Sequence, residues 1–403
     1  MTTALQQPVA RTADARPPQV RSRVPADHPR PAARAEQWRY LPLDRIAGLL
    51  DESRPSVPAS IHTADGEPAL PRISAEQRDL RSLVQPSDWV AARAYAGSTG
   101  ATVLTVPAET VHATPLAVSV DIQPRASHPP PDQTATAPDQ PSAAPSSTPI
   151  TLDHLIIAVG PHSDAHIELT IAGVGAAALL VELQVADGAR LRLVTDCALA
   201  RESVLMLDQQ VTLQRDATYI GLTCQRGGDV VRATSRVDYR GPGSRAELLG
   251  LNVTGPGQHH ESRPLIHHAV PHCSSDVAYK AVVHGADSHA VWIGDVIVEA
   301  SATDIDTYEL NRTILLDAGA RADSVPNLEL KTGDVLRAGH ASVTGQLDPE
   351  QVFYLQARGL TATAATHLIV RGFFADLLAR AGDDRVAEQL LSALDHALGE
   401  DHA

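Results

Sequence analysis

Cysteine is scarce in this sequence, and its few thiols stand far apart. The 403 residues include three cysteines, Cys197, Cys224 and Cys273, with no C-x-x-C pair. A disulfide framework, or a zinc or iron–sulfur site built from the cysteines of one chain, needs more thiols at closer spacing. The composition argues against both, and it indicates a reducing compartment, which we expect to be the cytoplasm.

Long apolar runs, a secretory leader and an excess of basic residues are also missing. No stretch reaches the roughly 20 consecutive apolar residues that span a bilayer, and the N-terminus lacks the apolar segment of a signal peptide. Lys and Arg number 33 against 48 Asp and Glu, a net charge of −15. Nucleic acids and anionic membranes are bound by clustered cations, so we expect neither as a partner.

Aromatic residues make up only 3% of the chain, although 43% of it is apolar. That apolar content is enough for a sizeable core, which must be built mainly from Val, Leu, Ile and Ala. The length suggests two or three structural units.

The first third of the chain divides into three segments. Residues 1–35 are rich in Pro, Ala and Arg and lack periodicity, which predicts a disordered tail. Residues 36–123 predict a mostly helical region with short strands, in which Ser74 and Gln77 have the spacing of a capping box. Residues 124–150 are dense in Pro, Ser, Ala and Thr and predict a flexible insertion.

Residues 151–343 change character and predict an all-β core. Short apolar stretches recur every 10 to 15 residues between Gly, Asp and Pro turns, and Ile167, Leu169 and Ile171 alternate with polar residues. A sandwich or barrel competes with a parallel β-helix. The scarcity of aromatics, the small aliphatic side chains and the lack of regular two-residue hairpin turns favour the β-helix, although no strict repeat is present.

Residues 344–403 predict a C-terminal helical bundle. Asp348 is placed as an N-cap, Pro349 as the first helical residue, Gln351 as the partner in a capping box and Gly359 as a C-terminal cap. The apolar stripes of these helices either dock on the β-domain or receive a partner.

Histidine is concentrated in one segment, which raises the question of a metal site. The segment "GQHHESRPLIHHAVPHC" contains five histidines and ends on Cys273. Imidazole and thiolate bind metals, and His272 with Cys273 is the weak candidate pair here. The irregular spacing favours histidines that cap turns or bind backbone groups. Cys273 would be nucleophilic only if its pKa were lowered, and an inert buried thiol is the commoner case.

Complete catalytic motifs are not found in the sequence. A phosphate-binding G-x-x-x-x-G-K-[ST] loop, a G-x-S-x-G elbow and an H-E-x-x-H helix are missing, although carboxylate pairs such as Asp304 and Asp306 are present. The lack of a complete catalytic motif favours a scaffold over an enzyme. The rival hypothesis is an enzyme built on a β-helix, or a histidine-based metal-binding β protein.

Five blocks of the sequence together resemble the SufB/SufD family of iron–sulfur cluster assembly proteins. They lie in the same order and at similar spacing as in that family: "EQWRYLPL" from Glu36, "HHAVPHCSSDVAYKAVVHG" from His267, "DTYELNRTILL" from Asp306, "SVPNLEL" from Ser324 and "GHASVTGQLDPEQVFYLQARGL" from Gly339. The resemblance covers roughly residues 36–50 and 240–380.

The resemblance implies a fold and a role. The fold is a right-handed parallel β-helix with helical segments at both ends. The role is that of a non-catalytic scaffold that pairs with SufB through the β-helix and binds the ATPase SufC through its C-terminal helices. The nascent cluster forms transiently at the SufB interface, and the isolated chain binds no cofactor stably. The histidine implicated on this side of the interface corresponds to His340, whose neighbours Gly339 and Ala341 are small.

Two positions favour the SufD branch of the family. Ala341 follows His340 where SufB proteins have Glu, and Ala320 stands where the SufB cysteine would align. Other positions depart from the SufD pattern: Ala338 replaces a cysteine found in some relatives, Glu309 replaces a Gln, and "ASV" from Ala341 replaces G-A-T. Whether a homodimer forms without SufB stays open at this point.

Overall fold

The computed structural model of the chain describes most of its residues. The described ranges are 20–63, 69–112, 114–122, 148–382 and 384–400. The first part of the predicted tail and most of the predicted insertion lie outside them.

The N-terminal region combines short helices and strands. Its strands are β1 (Ser56–Val57), β2 (Ser60–Thr63), β3 (Arg72–Ser74), β4 (Gly100–Val106) and β5 (Leu116–Ile122). Its helices are α1 (Ala47–Leu50), α2 (Ala75–Arg81) and α3 (Trp89–Gly97). The predicted capping box is confirmed, because Ser74 accepts from the amide of Gln77 while the Gln77 side chain accepts from the amide of Ser74.

An unbroken series of strands, mostly ten residues long, follows. They are β6 (Ile150–Val159), β7 (Asp164–Gly173), β8 (Ala176–Val185), β9 (Arg190–Leu199), β10 (Val204–Leu213), β11 (Thr218–Gly227), β12 (Val230–Tyr239), β13 (Arg245–Thr254), β14 (His259–His268), β15 (Ser274–Val283), β16 (His289–Val298), β17 (Ile305–Leu315), β18 (Arg321–Leu330) and β19 (Val335–Gln346).

These strands form the predicted parallel β-helix rather than a sandwich or barrel. The even-numbered strands from β4 to β18 pair in parallel in one sheet, here the even sheet, and the odd-numbered strands from β5 to β19 pair in parallel in the odd sheet. Each strand therefore pairs with the strand two places along the chain, and about seven turns result. Ile167, Leu169 and Ile171 all point into the aliphatic interior between the sheets, as their alternation predicted.

The coils differ in length, which explains why the sequence shows no strict repeat. In the middle of the β-helix Thr223 pairs with Gly250, whereas nearer its C-terminal end Tyr279 pairs with Asn311 across a longer stretch of chain. The added residues lie in the turns, so the strands keep their register while the sequence period drifts.

The outer faces of the two sheets are covered by different parts of the chain. The N-terminal region packs on the even sheet around Trp38, Trp89 and Met206. Three C-terminal helices follow the last strand: α4 (Pro349–Ala357), α5 (Ala362–Ala381) and α6 (Asp384–Glu400). Phe374 and Leu377 of α5 pack on the odd sheet. Strands buried on both faces read as nearly continuous apolar runs.

The caps of α4 follow the prediction only in part. Asp348 is the N-cap and Pro349 the first helical residue, as predicted. The Asp348 carboxylate accepts from the amide of Glu350, however, and not from that of Gln351, so the predicted capping box with Gln351 is not formed. Gly359 has the positive φ of 98° that a C-terminal cap requires.

The predicted tail is shorter than the sequence suggested. Arg21 pairs with Asp238 of the β-helix at 3.4 Å, and the Arg23 guanidinium donates to the carbonyls of Val84 and Ser82. Residues 20–35 thus lie on the folded body. Composition pointed to disorder because this segment has few apolar side chains; its Arg side chains bind the body through hydrogen bonds instead.

One helix of the described residues, α5, is long and apolar enough by length and composition to cross a membrane, and 28% of its most apolar window is buried within the protein. The sequence had suggested that no such segment exists. In the structure one side of this helix packs on the odd sheet through Val370, Phe374 and Leu377.

Candidate functional site at the open end of the β-helix

The two ends of the β-helix are built differently. At the N-terminal end the short strands β2 and β3 run antiparallel to β5 and β4 and cover their edges. At the C-terminal end β18 and β19 are the last strands of the even and odd sheets, and within the described residues each pairs with one neighbour only. An unpaired strand edge offers free backbone groups to another chain, so this open end is a candidate interface.

His340 lies in the middle of the edge strand β19. It is solvent-exposed and, within the described part of the chain, makes no hydrogen bond or ion pair. It is the Cα partner of Glu309 in β17. In-register residues of parallel strands project from the same face. Glu309 lies on the inner face together with the buried residues Thr307 and Asn311, which are two positions away on either side. His340 therefore also projects from the inner face, at the mouth of the interior.

Glu309 is a buried carboxyl group without a hydrogen-bond partner. Its side chain is fully buried, and neither carboxylate oxygen has a partner among the described residues. Burial raises the pKa of Glu309 to about 8, and the charge of Asp295 adds to the shift. Native proteins rarely leave a buried carboxyl unpaired, so this position needs a functional or structural explanation.

Gly294 of the opposite sheet makes room for the Glu309 carboxyl. A Cβ atom placed on Gly294 would lie 2.9 Å from Glu309 Oε1 and 2.4 Å from the ring of Trp292. The carboxyl therefore extends across the interior to the even sheet, next to the edge of an aromatic ring. Any larger residue than glycine would displace one of the two side chains.

Polar side chains continue from the interior to the mouth beside His340. Asn311 Nδ2 donates to Ser324 Oγ at 3.0 Å, and Ser324 Oγ lies 2.6 Å from Ser342 Oγ. Asn311 is buried and Ser342 is exposed. Buried polar side chains also bond across the interior of the middle coils, where Gln209 donates to Thr195, but in the last coil such a chain reaches the solvent.

Exposed apolar side chains lie on the last coil and on the helix that follows it. Leu336 of β19 is 71% exposed, and Val343 and Leu330 are also exposed. Phe353 and Tyr354 of α4 are 72% and 57% exposed. Most of the large exposed hydrophobic residues in the described chain lie in this last coil and in the C-terminal helices, which marks the region as an interaction surface.

His272 occupies a turn position that recurs along the β-helix. It has a φ of 59°, and its amide donates to the carbonyl of Thr303 in the next coil. Asp304 in the next coil and Asp216 two coils earlier hold the same turn position, also with positive φ. His272 Nδ1 lies 3.2 Å from the Asp304 carboxylate. Its place in the turn accounts for its conformation.

Cys273 is a buried thiol at the inner corner of the same turn. Burial raises its pKa, and its Sγ contacts the carbonyls of Pro271 and Gly241. The corresponding positions of earlier coils hold Ala217 and Ser244, which are equally buried. A small side chain is what this corner requires, and the thiol environment opposes thiolate formation.

The other histidines of the rich segment are separated by the sheet. His260 points inward and contacts Asn252 and Gly227, and burial lowers its pKa to about 4. His267 points outward, with Nδ1 2.9 Å from Asp238. Alternation along β14 thus places neighbouring histidines on opposite faces. Within the described residues no group of three His, Cys, Asp or Glu side chains is arranged to hold a metal ion.

The sequence singled out His340 but did not find the groups around it. Glu309 was noted only as a departure from a family pattern, and Asn311, Ser324 and Ser342 were not considered. The available signal was the charged residue Glu309 at an inward position that Val277 and Leu248 hold in the two preceding coils.

Comparison with known proteins identifies the family to which the chain belongs. The family model "SUF system FeS cluster assembly, SufBD core domain" matches residues 142–373, which span the β-helix from β6 to β19 and the start of the helical region. An iron–sulfur cluster assembly SufBD family protein of Mycobacterium bovis is 37% identical over 376 residues, covering 91% of this chain and 89% of that protein. The chain belongs to the SufBD family.

Other SufBD relatives agree with this assignment. A SufBD family protein of Mycobacterium leprae is 37% identical over 377 residues, covering 91% of this chain and 90% of the relative. The iron–sulfur cluster assembly protein SufD of Escherichia coli is 27% identical over 186 residues, 46% of this chain and 44% of its own length. The family match includes both His340 and Glu309, so the open end belongs to the shared SufBD core.

Proposed function

We propose that this SufBD protein is the SufD-type, non-catalytic scaffold subunit of a complex with SufB and the ATPase SufC that assembles iron–sulfur clusters in the cytoplasm. The observation that carries the proposal is the open end of the β-helix, where His340, without a partner among the described residues, stands in an exposed edge strand. Membership of an iron–sulfur cluster assembly family supplies the chemistry.

SufB is the proposed partner at this open end. The free edges of β18 and β19 offer main-chain donors and acceptors, and Leu336 and Val343 offer apolar area to a covering surface. Strand edges flanked by exposed apolar residues suit the addition of another β-rich chain. A second copy of this chain could use the same surface when SufB is lacking, which would give a homodimer.

His340 is the proposed contribution of this chain to the nascent cluster. One imidazole cannot hold an iron–sulfur cluster, which requires several ligands. The isolated chain should therefore bind no cluster stably, and the remaining ligands would come from SufB. The exposed imidazole and the polar mouth of Asn311, Ser324 and Ser342 fit a transient iron site better than a resident cofactor.

SufC is the proposed partner of the C-terminal helices. Helix α4 carries no buried residue in the structure, and Phe353 and Tyr354 project from it into solvent. Helix α5 is firmly seated on the odd sheet, so α4 is presented on a fixed support. An exposed apolar helix next to an anchored one is suited to dock a partner domain.

Co-expression tests the proposal directly. The tagged chain would be expressed with SufB and SufC of the same cell, and the purified material analysed by size exclusion and mass measurement. We expect one copy of this chain, one SufB and two SufC. The His340→Ala variant should form the same complex but mature clusters poorly. A chain that ignores both partners would overturn the scaffold role and favour a β-helix enzyme or a histidine-based metal protein.

A further inference from the structure

The inner-face position one coil before His340 is occupied by an acid that has nothing to bind among the described residues. Glu309 and His340 are Cα partners in neighbouring parallel strands, about 4.8 Å apart, and both project from the inner face. The Glu309 oxygens have no hydrogen-bond partner in the described chain. The preceding residue of the same inner column, Val277, is apolar. An acid therefore appears only where the histidine is adjacent.

Three features argue against simple space filling. The site opposite Glu309 is Gly294, which leaves the carboxyl room that an alanine would take. The neighbouring inner positions of β17, Thr307 and Asn311, are satisfied by hydrogen bonds to Ser275 and Ser324. Of these three inner positions, all within the described chain, Glu309 alone is left unsatisfied, which is costly for a buried polar group.

Histidines that bind metals usually donate their second ring N–H to a carboxylate or carbonyl, which orients the ring and strengthens the metal bond. We propose that Glu309 is the positioning residue for His340: a carboxyl oxygen of Glu309 accepts a hydrogen bond from one ring nitrogen of His340, so that the other nitrogen faces an iron ion at the covered end of the β-helix. This inference rests on the proposed function of His340 as an iron ligand.

Binding of a partner to the open end would bring His340 into contact with Glu309. In the isolated chain His340 is exposed and free to turn toward solvent. Once another surface covers β19, the ring is confined to the mouth, where the Glu309 carboxyl is the adjacent unsatisfied acceptor. The carboxyl group of Glu309 would thereby select one orientation of the ring.

The test measures Fe²⁺ binding by the complete co-expressed complex under anaerobic conditions, by competition with a chromogenic chelator. Glu309→Met removes the acceptor and keeps a side chain of similar length, and Glu309→Gln retains a carbonyl acceptor. Thr307→Val is the matched control, because it lies on the same strand and face but pairs with Ala338. Size exclusion establishes that each variant assembles.

We expect Glu309→Met to weaken Fe²⁺ binding by about 10- to 100-fold, Glu309→Gln to recover most of the affinity, and Thr307→Val to bind like the wild type. Because Glu309 acts through His340, adding Glu309→Met to His340→Ala should cause no further loss. The Mössbauer spectrum of bound ⁵⁷Fe²⁺ should change in Glu309→Met, which a purely structural role would not produce.

The outcomes separate this inference from the proposed function. Loss of Fe²⁺ affinity in His340→Ala together with wild-type affinity in Glu309→Met would overturn the inference and leave the iron site in place. Additive losses in the double variant would overturn it as well. Wild-type affinity in His340→Ala would overturn both. If Glu309→Met fails to assemble, Glu309→Leu takes its place with the same expectations.

Discussion

Lys280 of β15 is held beneath α5 by Asp376. Its ammonium donates to the Asp376 carboxylate and, at 2.6 Å, to the carbonyl of Phe373. The lysine side chain is 8% exposed, whereas Asp376 is 72% exposed. The chain has only one other lysine, Lys331. This buried cation ties α5 to the odd sheet.

Replacing Lys280 by Met should loosen α5 while the β-helix stays folded. The substitution removes hydrogen bonds from a charged donor and leaves the Phe373 carbonyl without this partner, a loss of about 2 kcal/mol in the local stability of α5. Hydrogen exchange would show faster exchange in α5 and unchanged exchange in the strands. Lys331→Met is the control, since that exposed lysine pairs with Glu299 at the surface and should contribute less than about 1 kcal/mol. Equal hydrogen-exchange rates of α5 in the two variants would contradict the role of Lys280 in holding α5.

Phe353 should be required for SufC binding but not for folding. Phe353→Asp places a charge on the exposed face of α4, so we expect at least a tenfold loss of SufC from the purified complex with SufB retained and the melting temperature unchanged. Leu80→Asp is the matched control, because Leu80 is 86% exposed on α2, far from the proposed contact. Full retention of SufC by Phe353→Asp would show that another surface docks it.

The stability of the isolated chain should depend on the pH through Glu309. Burial raises the pKa of Glu309 from 4.5 to about 8, so the folded chain keeps a proton that the unfolded chain releases between these values. The proton that the folded chain retains on Glu309 contributes fully to the free energy of unfolding below pH 4.5. As the pH rises from 4.5 to 8, the free energy of unfolding falls by up to about 1.4 kcal/mol per pH unit.

The side chain of Glu309→Gln does not titrate. The difference between the free energy of unfolding of this variant and that of the wild type should therefore increase from pH 5 to pH 8 and stay constant above pH 8. Denaturant unfolding at several pH values measures the difference. The pKa of Asp208 is also raised, to about 7, but this group is common to both proteins and cancels. Parallel pH profiles of the two proteins would contradict the prediction, and Thr307→Val should run parallel to the wild type.

All three thiols should be unreactive in the folded chain. Cys197, Cys224 and Cys273 are buried, and burial raises the pKa of each. A chromogenic disulfide reagent should titrate far less than one thiol within minutes in buffer and three in guanidinium. Cys273→Ala should stay within about 1 kcal/mol of the wild-type stability, since alanine holds the same corner in other coils. One rapidly reacting native thiol, lost in Cys273→Ala, would show that this site is accessible.

Much of the fold could be predicted from the sequence because its signals are local. The alternation around Leu169, the cap at Ser74 and the proline at the start of α4 are each decided by residues within a few positions of one another. The choice of a β-helix followed from composition: two sheets that enclose a narrow interior favour small aliphatic side chains over rings. The tail boundary was missed because its contacts are made by arginines with residues far along the chain.

His340 could be named from the sequence, but its surroundings could not. Its neighbour Glu309 lies a full coil earlier in the chain, and the coils differ in length, so no fixed period places the two side chains together. In the same way, histidines adjacent in sequence separate onto opposite faces of β14. The sequence by itself determined the strands, their alternation and the family blocks, because these depend on neighbouring residues. Only the tertiary structure decided which acid lies beside His340, which sheet edge stays open and which cation anchors α5, because parallel pairing between coils sets those contacts.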